Sequence, residues 1–256
     1  MSLAFADKGP GYFSNTTPAE RVEDLLKFYG LSKWGFVVYR CTCGDDARWA
    51  RFMTRLNTNK DHVLREIYHK PELADALEWS VQEDPSLDGA TKDEVRRRFR
   101  KWVNSKPEIP NGLDDFKKQF FMRENPRYNY CIHVDSDAME SVTPQPPVIG
   151  GPEGPMSGYV NVVRADENWD LPDFDRFDWH SYESSKACNV EDKDYSEDED
   201  EDDYDEGEPE IEGSRLHDVG WMMVDATTLV PETYSTFIKS PSWDRLYCRP
   251  PKILER

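Results

Sequence analysis

The clearest pattern along the chain is an unbroken apolar run, Trp34–Arg40 (WGFVVYR), rich in aromatic and β-branched residues. A strand that is apolar on both faces belongs in the middle of a sheet, covered on both sides. Three later stretches also read as strands: Tyr128–Asp135 (YNYCIHVD), Gly158–Arg164 (GYVNVVR) and Val219–Asp225 (VGWMMVD). Elsewhere the apolar period turns helical. Thr17-Pro18-Ala19-Glu20 combines a capping box with Pro in the first turn, then Val22, Leu25, Leu26 and Tyr29 follow at helical spacing, and Gly30 stops the element. Asp45 or Asp46 can cap a helix with Trp49, Phe52, Met53 and Leu56 on one side. Residues 60–83 continue in helical period with a break near Pro71. Thr91–Glu94 is a second capping-box candidate. It opens a helix expected to bury Val95, Phe99, Trp102 and Val103 and to expose Arg96, Arg97, Arg98, Arg100 and Lys101. Short helices are expected over Asp114–Met122 and Val230–Lys239, and Arg249-Pro250-Pro251 is expected to end regular structure.

This order predicts an α+β fold: a ferredoxin-like-type sheet of about four strands, with a helical insertion between strands one and two. Residues 1–16 read as a loose N-terminal segment. Residues 17–256 read as a single α+β domain interrupted by a Pro/Gly-rich loop (144–157) and a disordered acidic insert (188–214).

Charge sharpens the picture of that insert. The 256 residues carry 51 acidic and 32 basic side chains, a formal net charge of −19. Glu191–Glu212 alone holds 15 acidic residues and one Lys, whereas the remaining 234 residues hold 36 acidic and 31 basic. Charge this dense, with almost nothing to bury, predicts disorder and suits an arm that docks a basic protein. Ser196, followed by acidic residues, is the candidate phosphorylation site within it. Just upstream, Trp169, Phe174, Phe177 and Trp179 are the candidate partner-binding residues, supplying apolar contact where the acidic run supplies electrostatic steering. No run approaches 18 apolar residues, the N-terminus lacks a secretory pattern, and five Cys leave an odd thiol. An intracellular protein, cytoplasmic or nuclear, with reduced thiols and no membrane span is the expectation.

Candidate chemistry is sparse. Cys41 and Cys43 with Cys131 fall short of a four-ligand zinc set, so no metal is expected. Asp45-Asp46 reads as a helix cap and not as a cation site. The sequence has no GxxxxGK[ST], GxGxxG or GxSxG, which argues against nucleotide-dependent enzymes and α/β-hydrolases; no cofactor is expected. His133 and Asp135, two residues apart on one strand face, form the candidate acid/base pair, with no nucleophile identifiable beside them. Gly35–Tyr39 (GFVVY) matches the end of an RNA-recognition pattern, with Phe36 and Tyr39 as the stacking aromatics. The upstream basic half is missing and the chain is acidic, so nucleic acid is not expected, and burial of both aromatics would exclude it. Nothing in the sequence sets an oligomeric state.

Trp34–Asp46 (WGFVVYRCTCGDD) followed by Trp49 and Phe52, together with Tyr130–Val142, Gly220–Asp225 and Trp243–Ile253, resembles a large family of uncharacterised proteins of filamentous ascomycete fungi. The resemblance implies a fungal intracellular protein and carries over neither an activity nor site residues. The leading expectation is a protein-interaction module. The alternatives are a small-molecule enzyme or binder using His133 and Asp135, and an RNA-binding sheet surface at Phe36 and Tyr39.

Overall fold

The computed structural model describes residues 14–105, 115–144, 156–165, 208–238 and 242–255. Six strands form one mixed sheet: β1 (Val37–Arg40), β2 (Ser80–Gln82), β3 (Tyr130–Val134), β4 (Tyr159–Arg164), β5 (Trp221–Asp225) and β6 (Ile253–Leu254). Their spatial order is β2-β1-β3-β4-β5-β6. Around them lie helices α1 (Pro18–Tyr29), α2 (Asp46–Asp61), α3 (Pro71–Ala76), α4 (Lys92–Ser105), α5 (Asp115–Glu124), α6 (Ser136–Val142), α7 (Tyr234–Phe237) and α8 (Ser242–Leu246). A π-helical turn, His62–Ile67, prolongs α2.

The α+β class holds, but the ferredoxin-like sheet of four strands is corrected. All four expected strands are present as β1, β3, β4 and β5, and β2 and β6 extend the sheet at its two edges. β1 is hydrogen-bonded on both sides to parallel neighbours, β2 and β3. β4 then runs antiparallel between β3 and β5, and β6 returns parallel to β5. A ferredoxin-like plait does not place three parallel strands side by side.

The parallel trio dictates where the helices lie. The path β1 to β2 moves to one side of β1, and the path β2 to β3 crosses back to the other. Right-handed crossovers in opposite directions must run over opposite faces of the sheet. Accordingly Phe52 and Leu56 of α2 and Leu73 of α3 pack with Phe36, Val38 and Ile132 on one face. Val95 and Phe99 of α4 pack with Val37, Tyr39 and Cys131 on the other. The first face also takes α1, whose Thr17–Glu20 capping box forms as expected and whose Val22, Leu25 and Tyr29 are buried.

One glycine is required by this packing. Gly35, with φ +112°, leads into β1 where a side-chain carbon would come 2.6 Å from the Glu78 carbonyl oxygen. The backbone there passes too close to the neighbouring chain for any Cβ. This shortens the expected strand Trp34–Arg40, and Trp34 makes only an isolated parallel bridge to Leu77.

Two expectations about exposure are also corrected. Arg96, expected on the outer face of α4, is 4% exposed. Its guanidinium donates to the carbonyls of Arg164 (2.8 Å) and Gly220 (3.0 Å) and pairs with Asp93. The acidic insert was expected to stay unpacked through Ser214, yet Glu208–Ser214 is part of the body. Ile211 and Ser214 pair through a tight turn, and the Arg249 guanidinium donates to the Pro209 carbonyl at 2.7 Å. Most of the insert and the loop from 145 to 155 lie outside the described residues.

Candidate functional site

In an open sheet, ligands favour the carboxyl ends of parallel strands at the point where strand order reverses. Here that point lies between β1 and β3. β3 ends in Val134-Asp135, and the chain enters α6 with Asp135 as its N-cap: Asp135 Oδ1 accepts from the Ala138 N–H at 2.9 Å. β1 ends in Cys41–Asp45, where Asp45 caps α2 by accepting from the Arg48 N–H at 2.8 Å. The reading of Asp45 as a cap therefore matches its geometry.

His133 points to the α4 face and is 2% exposed. The strand register sets it beside Tyr39 of β1 and Asn161 of β4. Its Nε2 lies 2.8 Å from the Ala90 carbonyl, which can only accept. Nε2 therefore carries the proton, and neutral His133 presents a lone pair at Nδ1. That Nδ1 is buried without a hydrogen-bond partner and lies 3.6 Å from Asp135 Oδ2. Burial dominates its titration and holds the imidazole pKa below its ordinary value, with the Ala90 hydrogen bond opposing and the Lys92 charge assisting.

Asp135 Oδ2 is the centre of the cluster. It accepts from Asn161 Nδ2 at 3.0 Å and lies 3.4 Å from Lys92 Nζ. Lys92, the first residue of α4, is buried; its ammonium also meets Glu212 at 2.6 Å and sits 4.3 Å from the centre of the Trp221 ring. Asn161 and Lys92 are buried polar groups, each held by a carboxylate, which offsets part of their desolvation cost. Glu212 adopts φ +50° in the Ile211–Ser214 turn, a left-handed conformation uncommon for a residue with a side chain.

The structure thus brings the two expected residues, His133 and Asp135, together and adds Lys92, Asn161, Glu212 and Trp221. Sequence reasoning took Lys92 only as part of a capping box. Asn161 carried a usable signal: a lone amide in the middle of a valine-rich strand. Glu212 belonged to the acidic run and gave no sign of docking. Trp169, Phe174, Phe177, Trp179 and Ser196 lie outside the described residues.

The remaining candidates separate. Cys41 and Cys131 are buried and Cys43 is exposed. Burial pushes the Cys41 thiol up to about 12 and raises Cys131 as well, so both are protonated, inert thiols. Among the described residues no group of three or more His, Cys, Asp or Glu side chains could hold a metal ion. Phe36 and Tyr39 are buried between the sheet and its helices, which removes the exposed aromatic platform that RNA stacking needs.

Fold and site together define an α+β protein with a mixed six-stranded sheet and a buried polar cluster at its strand-order reversal. No family model matches the chain, and neither a curated protein nor a solved structure matches it.

Proposed function

We propose that the protein is an interaction module that captures a basic protein through the acidic segment joining β4 to β5. The observation that carries this reading is the clamp at the base of that segment. Arg96 holds Arg164, the last residue of β4, and Gly220, the residue before β5, so one buried guanidinium ties both ends of the β4–β5 connection to α4. Residues 166–207 contain 19 acidic and three basic side chains, with Trp169, Phe174, Phe177 and Trp179 near the first stem. Among the described residues only Ile67 and Ile253 are large apolar side chains exposed beyond a third, at 57% and 37%. The body itself therefore offers little apolar contact surface, and the aromatic residues of the segment are the natural source of it. No helix among the described residues is long and apolar enough to cross a membrane.

The test replaces the acidic residues of 191–206 with Asn and Gln and measures binding of a lysine-rich peptide across a salt series. Weaker capture and a flatter salt dependence are expected, with the circular-dichroism spectrum of the body unchanged. Unchanged binding and salt slope would remove the reading.

A second reading, a small-molecule binder at His133 and Asp135, is supported by the inward-facing imidazole whose Nδ1 has no partner.

A further inference from the structure

We propose that residues 201–206 of the acidic run dock in cis on a strip formed by His217, Arg249 and Lys252, and that a basic partner captures the run by displacing it from that strip. This rests on the capture reading and adds its regulation. The described chain resumes at Glu208, the next acidic residue of the run. Its carboxylate meets His217 Nδ1 at 3.1 Å and lies 3.9 Å from Arg249 Nε. The carbonyl of Pro209 then accepts from the Arg249 guanidinium at 2.7 Å. The strip belongs to the body: the His217 ring stands edge-on to Tyr247 with centres 5.7 Å apart, and Tyr247 Oη accepts from the Val219 N–H at 3.0 Å. The His217 hydrogen bond, helped by the Arg249 and Lys252 charges and opposed by burial, holds the Glu208 carboxyl below its ordinary pKa.

Positive charge is left over on this strip. Arg249 and Lys252 are two permanent cations facing the single carboxylate of Glu208. The Lys252 side chain is exposed, and its ammonium has no hydrogen bond or ion pair among the described residues. Asp218, next in the chain after His217, is taken up by Trp243 Nε1, the Gly220 N–H and Arg164. Residues 201–206 (EDDYDE) carry five carboxylates, and Gly207 alone separates Glu206 from Glu208. Two residues span at most about 7 Å, so covalent geometry keeps the end of the run beside Arg249 and Lys252. Carboxylates tethered this closely meet the strip at an effective concentration on the order of millimolar, with no second molecule needed. Each exposed pair is weak, so several in succession hold the run while a lysine-rich partner can still compete for the same carboxylates. The outer face of α4 is the competing surface; Arg97 there is already paired with Glu94, and exposed Lys101 reports on it.

The first experiment applies zero-length carbodiimide coupling to the full chain, mixed equally from isotope-labelled and unlabelled protein, and maps the products by mass spectrometry. Lys252 is expected to couple to carboxylates of 201–206 within one chain, several-fold more than Lys101 does, and the product should disappear in about 1 M sodium chloride. Equal or greater coupling of Lys101, coupling chiefly between chains, or no coupling of Lys252 overturns the docking. The second experiment compares Lys252→Glu with Lys101→Glu, which make the same change in net charge, in binding a lysine-rich peptide. Lys252→Glu should tighten capture by about two- to fivefold more than Lys101→Glu. An equal gain in both variants shows that net charge alone acts and overturns the displacement. If the parent chain does not bind the peptide, the capture reading falls with the displacement, and the coupling alone decides the docking.

Discussion

The two faces of the sheet are built to different rules. On the α2 face the strands and the lead into β1 contribute Phe36, Val38, Ile132, Val134, Val160, Val162, Met222 and Val224, all buried and all apolar. On the α4 face the apolar set of Val37, Cys131 and Val163 gives way, toward the carboxyl end of β3, to His133 and Asn161. Burying apolar area stabilises without direction, whereas burying polar groups contributes little net stability and fixes geometry. The contrast teaches that the first face holds the fold and the second positions chemistry.

The largest effect should therefore come from the first face. Phe36 is fully buried and packs edge-on against Tyr234 with ring centres 5.0 Å apart. Phe36→Ala should cost about 3–5 kcal/mol, read as a lower denaturation midpoint with an unchanged slope. A loss below about 1 kcal/mol would break the division between faces.

Arg96 comes next, because it is the stabilising exception on the polar face. Arg96→Met leaves the Arg164 and Gly220 carbonyls without their charged donor and should cost about 2–3 kcal/mol. Arg97, exposed on the same helix and paired with Glu94, gives the control: Arg97→Met should stay within about 0.5 kcal/mol. Similar losses in both variants would show that the clamp contributes nothing beyond a surface charge.

The sequence displayed these faces unevenly. Runs such as WGFVVYR and VGWMMVD announce buried strands because covered strands need continuous apolar residues. β2 escaped because Ser80-Val81-Gln82 is a half-buried edge, and β6 because it has only two residues beyond Pro250-Pro251. Strand order was not legible either, since it depends on which long-range pairs form and not on local period. His133 and Asp135 were visible as a pair on one strand face. Lys92 and Glu212 were not, because they are 120 positions apart and meet only when α4 crosses the sheet. Arg96 was misplaced for a related reason: among so many arginines, helical spacing alone did not show that one would be drawn inward to two carbonyls.

His133 offers a pH signature that the apolar face lacks. Unfolded, the ring titrates near about 6.5. Folded, burial holds its pKa lower, so the folded chain takes up the proton less readily than the unfolded one. The neutral ring's contribution to stability is thus complete above that unfolded value and is lost as pH falls toward the folded pKa. Denaturation midpoints measured from pH 7.5 downward should drop less steeply in His133→Gln than in the parent chain. Parallel curves would mean that the ring is not desolvated in the folded protein.

The smallest effect is expected at Glu212, where two contributions oppose each other. Its left-handed φ of +50° costs a residue with a side chain on the order of 1 kcal/mol, and glycine removes that strain. Its carboxylate meets Lys92 at 2.6 Å but is itself 43% exposed, so water screens the pair and its worth is about 0–1 kcal/mol. Glu212→Gly should accordingly leave stability within about 0.5 kcal/mol of the parent. Glu212→Gln keeps the strain and loses the charge, and should be the less stable of the two. Hydrogen exchange across 208–214 then tells which contribution holds the stem. If Gly exchanges as slowly as the parent and Gln faster, the backbone of the turn relaxes without help from Lys92 once the strain is gone. If both exchange faster, it is the ion pair that ties the acidic segment's second stem to the polar face.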